Sequence, residues 1–114
     1  MDVDALIEQW NGYASANRMR AHLDERGGDT FGARLHRARA EVRQAAAEML
    51  TAMRSEPIAA AKAMHNNARQ LRQHHWPFAG FDQTAVNYTR ARTWQDCAKA
   101  IDPSLPEVQP RLRE

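Results

Sequence analysis

A single unbroken apolar stripe runs through residues 31–54, with an apolar side chain every three or four positions. Its members are Phe31, Leu35, Ala38, Val42, Ala45, Ala46, Met49 and Met53. The segment contains no proline, and its one glycine lies at the start, so a helix of about 35 Å is expected. Because such a helix must bury its apolar face against other helices, it predicts an all-α fold built around this segment.

The segment before this stripe has a shorter apolar face with a recognisable start and end. Asp2 has the position of an N-cap, and Gly27-Gly28 is expected to end the helix. Met19 and Leu23 fall on a different side from the earlier apolar residues, so a break is expected between residues 12 and 17. The residues expected to face inward are Val3, Leu6, Ile7, Trp10, Tyr13 and Ala14.

Two more helices are predicted in the second half of the chain. Pro57 suits a first helical turn, because its missing N–H would have no partner there. Asp82 is expected to cap a last helical stretch, and a capping-box pattern at Thr93 predicts two pieces within it, at about 83–92 and 94–101. The residues expected to face inward are Ile58, Ala61, Met64, Ala68, Leu71, Val86, Trp94, Cys97, Ala98 and Ile101.

These patterns predict a bundle of four to five helices in residues 1–102, followed by a short extended, proline-containing tail in residues 103–114. A chain of 114 residues suits one domain with one core. Its first residues lack a signal-peptide pattern, and no apolar run reaches the roughly 18 residues of a membrane span. With Cys97 as the only cysteine, we expect a soluble cytoplasmic protein that does not contact membranes.

Motifs for catalysis or for metal binding are missing from the sequence. It contains no phosphate-binding P-loop, no dinucleotide fingerprint and no H-E-x-x-H pattern. His65, His74 and His75 are close in sequence, but no cysteine or carboxylate lies near them to complete a zinc site. The expectation is therefore a protein that is not an enzyme and uses no metal or cofactor.

Arginine makes up fourteen of the sixteen basic side chains, although the net charge is only +2. Its planar guanidinium holds phosphates and carboxylates through two hydrogen bonds and stacks on flat rings. Arg37 is expected to pair with Glu41 one turn later. Arg39 and Arg43 share a face without an acidic neighbour at that spacing, so they are either solvated or available to phosphates.

Residues 57–81 contain no acidic residue and form the most one-sided stretch of charge. The residues predicted to bind nucleic acid, here and on the other helices, are Arg39, Arg43, Lys62, Arg69, Arg72, Arg90 and Arg92. Trp76, Phe78 and Phe81 form an aromatic loop in the same stretch. Such a loop either plugs the end of a bundle or contacts a partner.

The small size, the helices with arginine on their outer faces and the mild net charge resemble the small helical subunit of CRISPR RNA-guided effector complexes. The resemblance covers residues 3–101, and since that family has no short diagnostic motif, no residue is matched one to one. It implies an all-helical subunit that stacks in several copies beside other subunits of an antiviral defence complex. It also implies that basic faces hold the backbone of RNA or single-stranded DNA without reading its sequence.

Two other functions fit the same sequence. The chain could be a small phage or accessory protein that binds and regulates another protein, with Trp10, Tyr13, Trp76 and Phe78 as the exposed contact residues. It could also be a helix-turn-helix regulator, since Gly27-Gly28 suits the turn between two helices. The helix that follows is much longer than a recognition helix, which disfavours this second alternative.

Overall fold

The computed structural model describes residues 1–73 and 80–108 and contains four α-helices in them. They are α1 (Val3–Arg26), α2 (Thr30–Ala52), α3 (Pro57–Gln73) and α4 (Phe81–Ile101). No strand occurs in these two ranges, so the all-α prediction is confirmed. None of the helices described there is long and apolar enough to cross a membrane.

A tight turn folds α1 back along α2. Gly27 ends α1, and Gly28 adopts φ 87°, a left-handed conformation that favours glycine. Asp29 then caps α2 by accepting a hydrogen bond of 2.8 Å from the backbone of Gly32. The two helices consequently form an antiparallel hairpin, and α1 ends at Gly27-Gly28 as predicted.

The second hairpin consists of α3 and α4, and α2 connects it to the first by packing against α4. Arg34 of α2 donates to Gln83 of α4, and Glu41 pairs with Arg90 further along, so α2 and α4 run in the same direction. α1 and α3 flank this central pair. The resulting bundle is flat, with extents of 42 × 40 × 19 Å, and one of its faces is built from all four helices.

The predicted break in α1 is wrong, because the helix is continuous from Val3 to Arg26. Its inward stripe continues beyond Trp10 through small and polar residues, Ala14, Asn17 and Ala21, at spacings of three and four. Met19 and Leu23, which suggested the drift, are 67% and 57% exposed. Met19 and Leu23 therefore lie on the solvent-facing side of α1, and they do not indicate a bend in the helix.

The predicted division of α4 is also wrong. Thr93 does not cap a new helix, since its hydroxyl donates 2.8 Å to the carbonyl of Thr89 within one continuous helix. Gly80 precedes the first turn, and Asp82 lies inside that turn instead of capping it. The unbroken helix places Tyr88, Arg92 and Asp96 on one face, at spacings of four residues.

The main hydrophobic core contains buried residues from all four helices. Trp10 is fully buried there, together with Leu50, Met64 and Cys97 from the other three helices. Alanines at closely packed positions let the helices approach one another. Ile58 was predicted to face this core but is exposed, because the neighbouring alanines of α3 fill the inward positions.

The described part of the C-terminal tail, residues 102–108, folds against α3 and α4. It begins with a turn, in which the backbone N–H of Leu105 donates 3.2 Å to the carbonyl of Asp102. Val108 is buried, and its N–H donates 2.7 Å to the side chain of Gln95. His65 of α3 contacts the carbonyl of Pro106 at 3.0 Å. The remainder of the predicted tail lies outside the described residues.

Candidate functional site

A cavity of about 500 Å³ opens on the face that all four helices share. Four of the residues around it are arginines, and the cavity is called the arginine groove below. Its lining residues are Tyr13, Asn17, Arg39, Arg43, Arg72, Tyr88, Thr89, Arg92, Thr93 and Asp96. Four guanidinium groups and one carboxylate line it, so the groove is strongly positive although the whole chain is nearly neutral.

The helical spacing of α2 places Arg39 and Arg43 one turn apart on the same wall. The guanidinium of Arg43 lies over the ring of Tyr13 at 4.9 Å from the ring centre, a cation–π contact between α2 and α1. The same guanidinium lies 3.6 Å from the sulfur of Cys97 at the base of the groove. Arg43 is thus oriented by uncharged neighbours and keeps its positive charge uncompensated by them.

Arg39 is held by a polar cluster at the α1–α2 contact. Its guanidinium lies 3.2 Å from Nδ1 of His36, and Nε2 of His36 lies 3.4 Å from the carboxylate of Asp24. Asn17 contacts the same Nδ1 at 3.3 Å. An unprotonated Nδ1 accepts from Arg39, whereas an Nδ1 that carries a proton donates to Oδ1 of Asn17, so a neutral His36 makes one of these two hydrogen bonds at a time. The cluster therefore fixes the direction of Arg39 without giving it a carboxylate partner.

Arg72 enters the groove from α3 and lies over the ring of Tyr88 of α4, with 5.1 Å between guanidinium carbon and ring centre. Its Nε is buried and has no hydrogen-bond partner in residues 1–73 and 80–108. Buried donors are normally satisfied. The Arg72 side chain lines the groove, although its enclosed Nε is not accessible to a ligand there.

Arg92 differs from the other three arginines because it has an acidic partner. Its Nε lies 3.2 Å from Oδ1 of Asp96, one turn further along α4. Both side chains are largely exposed, so this pair contributes little to stability, about 0.3–0.5 kcal/mol for pairs of this spacing. Asp96 supplies the one negative charge among the lining residues.

The thiol of Cys97 lies beneath Arg43. Burial raises the pKa of Cys97 to about 11, and the nearby Arg43 offsets only part of that effect. The thiol is consequently neutral near pH 7. A neutral buried thiol is a poor nucleophile, so Cys97 serves as part of the packing below the groove.

The structure brings together four of the seven residues predicted to bind nucleic acid, namely Arg39, Arg43, Arg72 and Arg92. The other three are Lys62, Arg69 and Arg90, which do not line the groove. Lys62 and Arg69 are exposed on α3. Arg90 pairs with Glu41 at 3.1 Å, which makes it a contact between α2 and α4.

The pairing predicted for Arg37 is wrong. Arg37 pairs with Glu25 of α1 at 2.6 Å, because the antiparallel hairpin brings the end of α1 beside it. Glu41, the expected partner, binds Arg90 instead. Arg37 and Glu41 therefore do not pair with each other within α2, and each pairs with a residue of another helix.

The residues predicted to contact a partner protein have different outcomes. Trp10 is 0% exposed and belongs to the core, so its predicted role as an exposed contact is wrong. Tyr13 is 44% exposed and lines the arginine groove. Trp76 and Phe78 lie outside the described residues.

Sequence reasoning missed half of the groove. The missed residues are Asn17, Tyr88, Thr89, Thr93 and Asp96. Those on α4 recur at spacings of three and four, so they share a face with Arg92 that could have been read from the sequence. In the described residues, no group of three or more His, Cys, Asp or Glu side chains could hold a metal ion.

Comparisons of the chain with protein-family models, with curated proteins and with solved structures gave no match. Fold alone does not define a function, and four-helix arrangements serve many. The function is therefore inferred from the chemistry of the arginine groove.

Proposed function

We propose that the arginine groove binds the sugar-phosphate backbone of RNA or single-stranded DNA, and that the protein is a non-catalytic helical subunit of a ribonucleoprotein complex. One observation carries the proposal. Three helices direct four guanidinium groups into one cavity, and only Arg92 has an ion-pair partner among the described residues. The resemblance to the small subunit of CRISPR effector complexes supports the same reading.

The chemistry of the groove suits phosphodiesters. Each guanidinium presents paired N–H donors that match the two free oxygens of a phosphate. Arg39 and Arg43 lie one turn apart on α2, and Arg72 of α3 and Arg92 of α4 line the same cavity. A strand that crosses the groove would place successive phosphates beside successive arginines. The lining threonines and Asn17 would add uncharged hydrogen bonds to the sugar and phosphate oxygens.

A single strand fits this site better than a duplex. Arg39, Arg43 and Arg72 are only partly exposed, since they lie in a recess between helices. The phosphates of a duplex lie on a wide convex cylinder and meet basic side chains that project from a surface. A flexible single strand can enter a recess and follow it.

The size of the groove suits a subunit that works with neighbours. Four arginines contact about four phosphates, which gives an isolated protein only modest, salt-sensitive affinity. Several copies along one strand would bind more tightly, because each bound copy raises the effective concentration of the next contact. This accounts for a chain with a net charge of only +2 in a nucleic-acid-binding role.

The test compares two double variants on the same helix. Arg39→Ala/Arg43→Ala removes two groove arginines, whereas Arg34→Ala/Arg37→Ala removes two exposed arginines outside the lining. Binding to a fluorescent single-stranded oligonucleotide is measured by anisotropy at low salt. The groove variant is expected to bind about tenfold more weakly or worse, and the control close to wild type. Equal loss in the two variants, or no binding by wild type, would contradict a specific role for the groove.

Membership of a complex has a separate test. The tagged protein is expressed together with the products of its neighbouring genes and purified at moderate salt. The proposal expects RNA to elute with it, together with other protein subunits, and expects the Arg39→Ala/Arg43→Ala variant to retain less of that RNA. A stoichiometric complex that contains protein alone would contradict the ribonucleoprotein assignment.

A protein-regulating role is the second candidate. Met19 and Leu23 lie one turn apart on the outer side of α1 and are 67% and 57% exposed. Contiguous exposed apolar patches mark contacts with other proteins, and under this candidate Met19 and Leu23 would belong to such a patch. Met19→Ser/Leu23→Ser would abolish a protein-only complex under this candidate, while leaving oligonucleotide binding unchanged.

A further inference from the structure

Two tyrosines stand beside the arginines in the groove. Tyr13 of α1 and Tyr88 of α4 both line the cavity and belong to different helices. Tyr13 is 44% exposed and Tyr88 is 38% exposed. Both tyrosines therefore line the cavity with partly exposed side chains.

Each tyrosine is paired with one groove arginine in the same way. Arg43 lies 4.9 Å from the centre of the Tyr13 ring, and Arg72 lies 5.1 Å from that of Tyr88. The groove thus holds two copies of one arrangement, a guanidinium group over an aromatic ring. The cation–π contact limits the movement of both groups and orients each ring before a ligand arrives.

This arrangement matches the two parts of an unpaired nucleotide. Proteins that hold single strands combine cationic groups along the backbone with aromatic rings on which bases stack. Stacking on a ring depends little on which base is present, since every base has a flat π-face. A paired base is covered by its neighbours in the duplex and has no free face for a ring.

We propose that Tyr13 and Tyr88 are base-stacking residues, an inference that rests on the proposed function. The arginine groove would then select strands with unpaired bases without selecting their sequence. Arg43 with Tyr13 and Arg72 with Tyr88 would each hold one nucleotide, by its phosphate and by its base. The competing role for the tyrosines is structural: each ring would only support its arginine. The two roles differ in whether binding depends on the presence of bases.

The experiment compares two oligonucleotides of about ten units with the same backbone charge. One carries thymine at every position, and the other is fully abasic. Wild-type protein is expected to bind the thymine strand at least about fivefold more tightly for each ring that stacks. Tyr13→Leu/Tyr88→Leu is expected to bind both strands equally, and Tyr13→Phe/Tyr88→Phe to keep the preference, since phenylalanine retains the ring.

The outcomes separate this inference from the proposed function. Equal binding of both strands by wild type would overturn stacking while leaving backbone binding intact, whereas no binding of either strand would overturn both. A preference that survives in the leucine variant would place the stacking elsewhere and also overturn the inference. Photo-crosslinking of a 5-iodouracil strand to wild-type protein supplies a test without variants. Crosslinks are expected at Tyr13 or Tyr88, and crosslinks that avoid both residues would contradict the inference.

Discussion

The salt dependence of the binding constant reports how many phosphates the arginine groove contacts. The perturbation is Arg39→Ala/Arg43→Ala, which removes two of the four guanidinium groups of the lining. Each protein–phosphate contact with a single strand contributes about −0.7 to the slope of log K against log salt concentration. Four contacts give wild type a slope of about −2.8, and two contacts leave the variant about −1.4.

These slopes translate into a measurable difference. Between about 50 mM and 200 mM salt, the affinity of wild type is expected to fall about 50-fold, and that of the variant about sevenfold. The assay is fluorescence anisotropy with a single-stranded oligonucleotide at four or more salt concentrations. Circular dichroism on each variant verifies that the helices are intact.

The control is Arg34→Ala/Arg37→Ala, which makes the same change in net charge on the same helix. Its slope is expected to match that of wild type, because Arg34 contacts Gln83 and Arg37 contacts Glu25 outside the groove. Identical slopes for the groove variant and wild type would refute the assignment of Arg39 and Arg43 as phosphate contacts. Parallel reductions in both double variants would indicate a diffuse effect of net charge.

Three other predictions test the electrostatics and packing around the groove. Asp96→Asn removes the negative charge of the lining and frees Arg92, so single-strand affinity is expected to rise about two- to fivefold by anisotropy; weaker binding would contradict an anion-binding groove. Because the pKa of Cys97 is about 11 when folded and 9.0 as an ordinary thiol, the unfolded state loses its proton first as pH rises. Wild type should therefore lose about 2 kcal/mol more unfolding free energy than Cys97→Ala as pH rises from 9 to 11 in urea titrations, and equal losses would show that burial does not raise the pKa of the thiol. Trp10→Ala should lower the free energy of unfolding by about 3–5 kcal/mol in urea titrations, because the ring is fully buried; a loss below about 1 kcal/mol would contradict this packing.

The helices themselves were largely predictable from local sequence signals. Asp2 accepts a hydrogen bond from the backbone of Ala5, and Asp29 caps α2, as N-cap residues do. Pro57 begins α3 as predicted. Prediction failed where one local pattern is compatible with two structures. The hydroxyl of Thr93 suggested a helix N-cap, but it donates to the carbonyl of Thr89 in the interior of α4.

The arginine groove was predictable only in part. The lack of acidic neighbours around Arg39 and Arg43 is a property of α2 alone, and both residues line the groove without an acidic partner on that helix. Their meeting with Arg72 and Tyr88 depends on the contact between α2 and α4, which run in the same direction and are separated by an entire helix in sequence. No local pattern encodes that contact. For the same reason, the partners of Arg37 and Arg90 could not be assigned in advance.

The most direct test of the account is to observe the arginine side chains while a strand binds. Two-dimensional ¹⁵N–¹H NMR spectra of the arginine Nε–H groups are recorded during titration with a short single-stranded oligonucleotide, with assignments from single Arg→Lys variants. The account predicts the largest shifts for Arg39, Arg43, Arg72 and Arg92, and small shifts for Arg34, Arg37 and Arg54. The largest shifts on the second set, with the groove arginines unchanged, would contradict the claim that the arginine groove holds the strand.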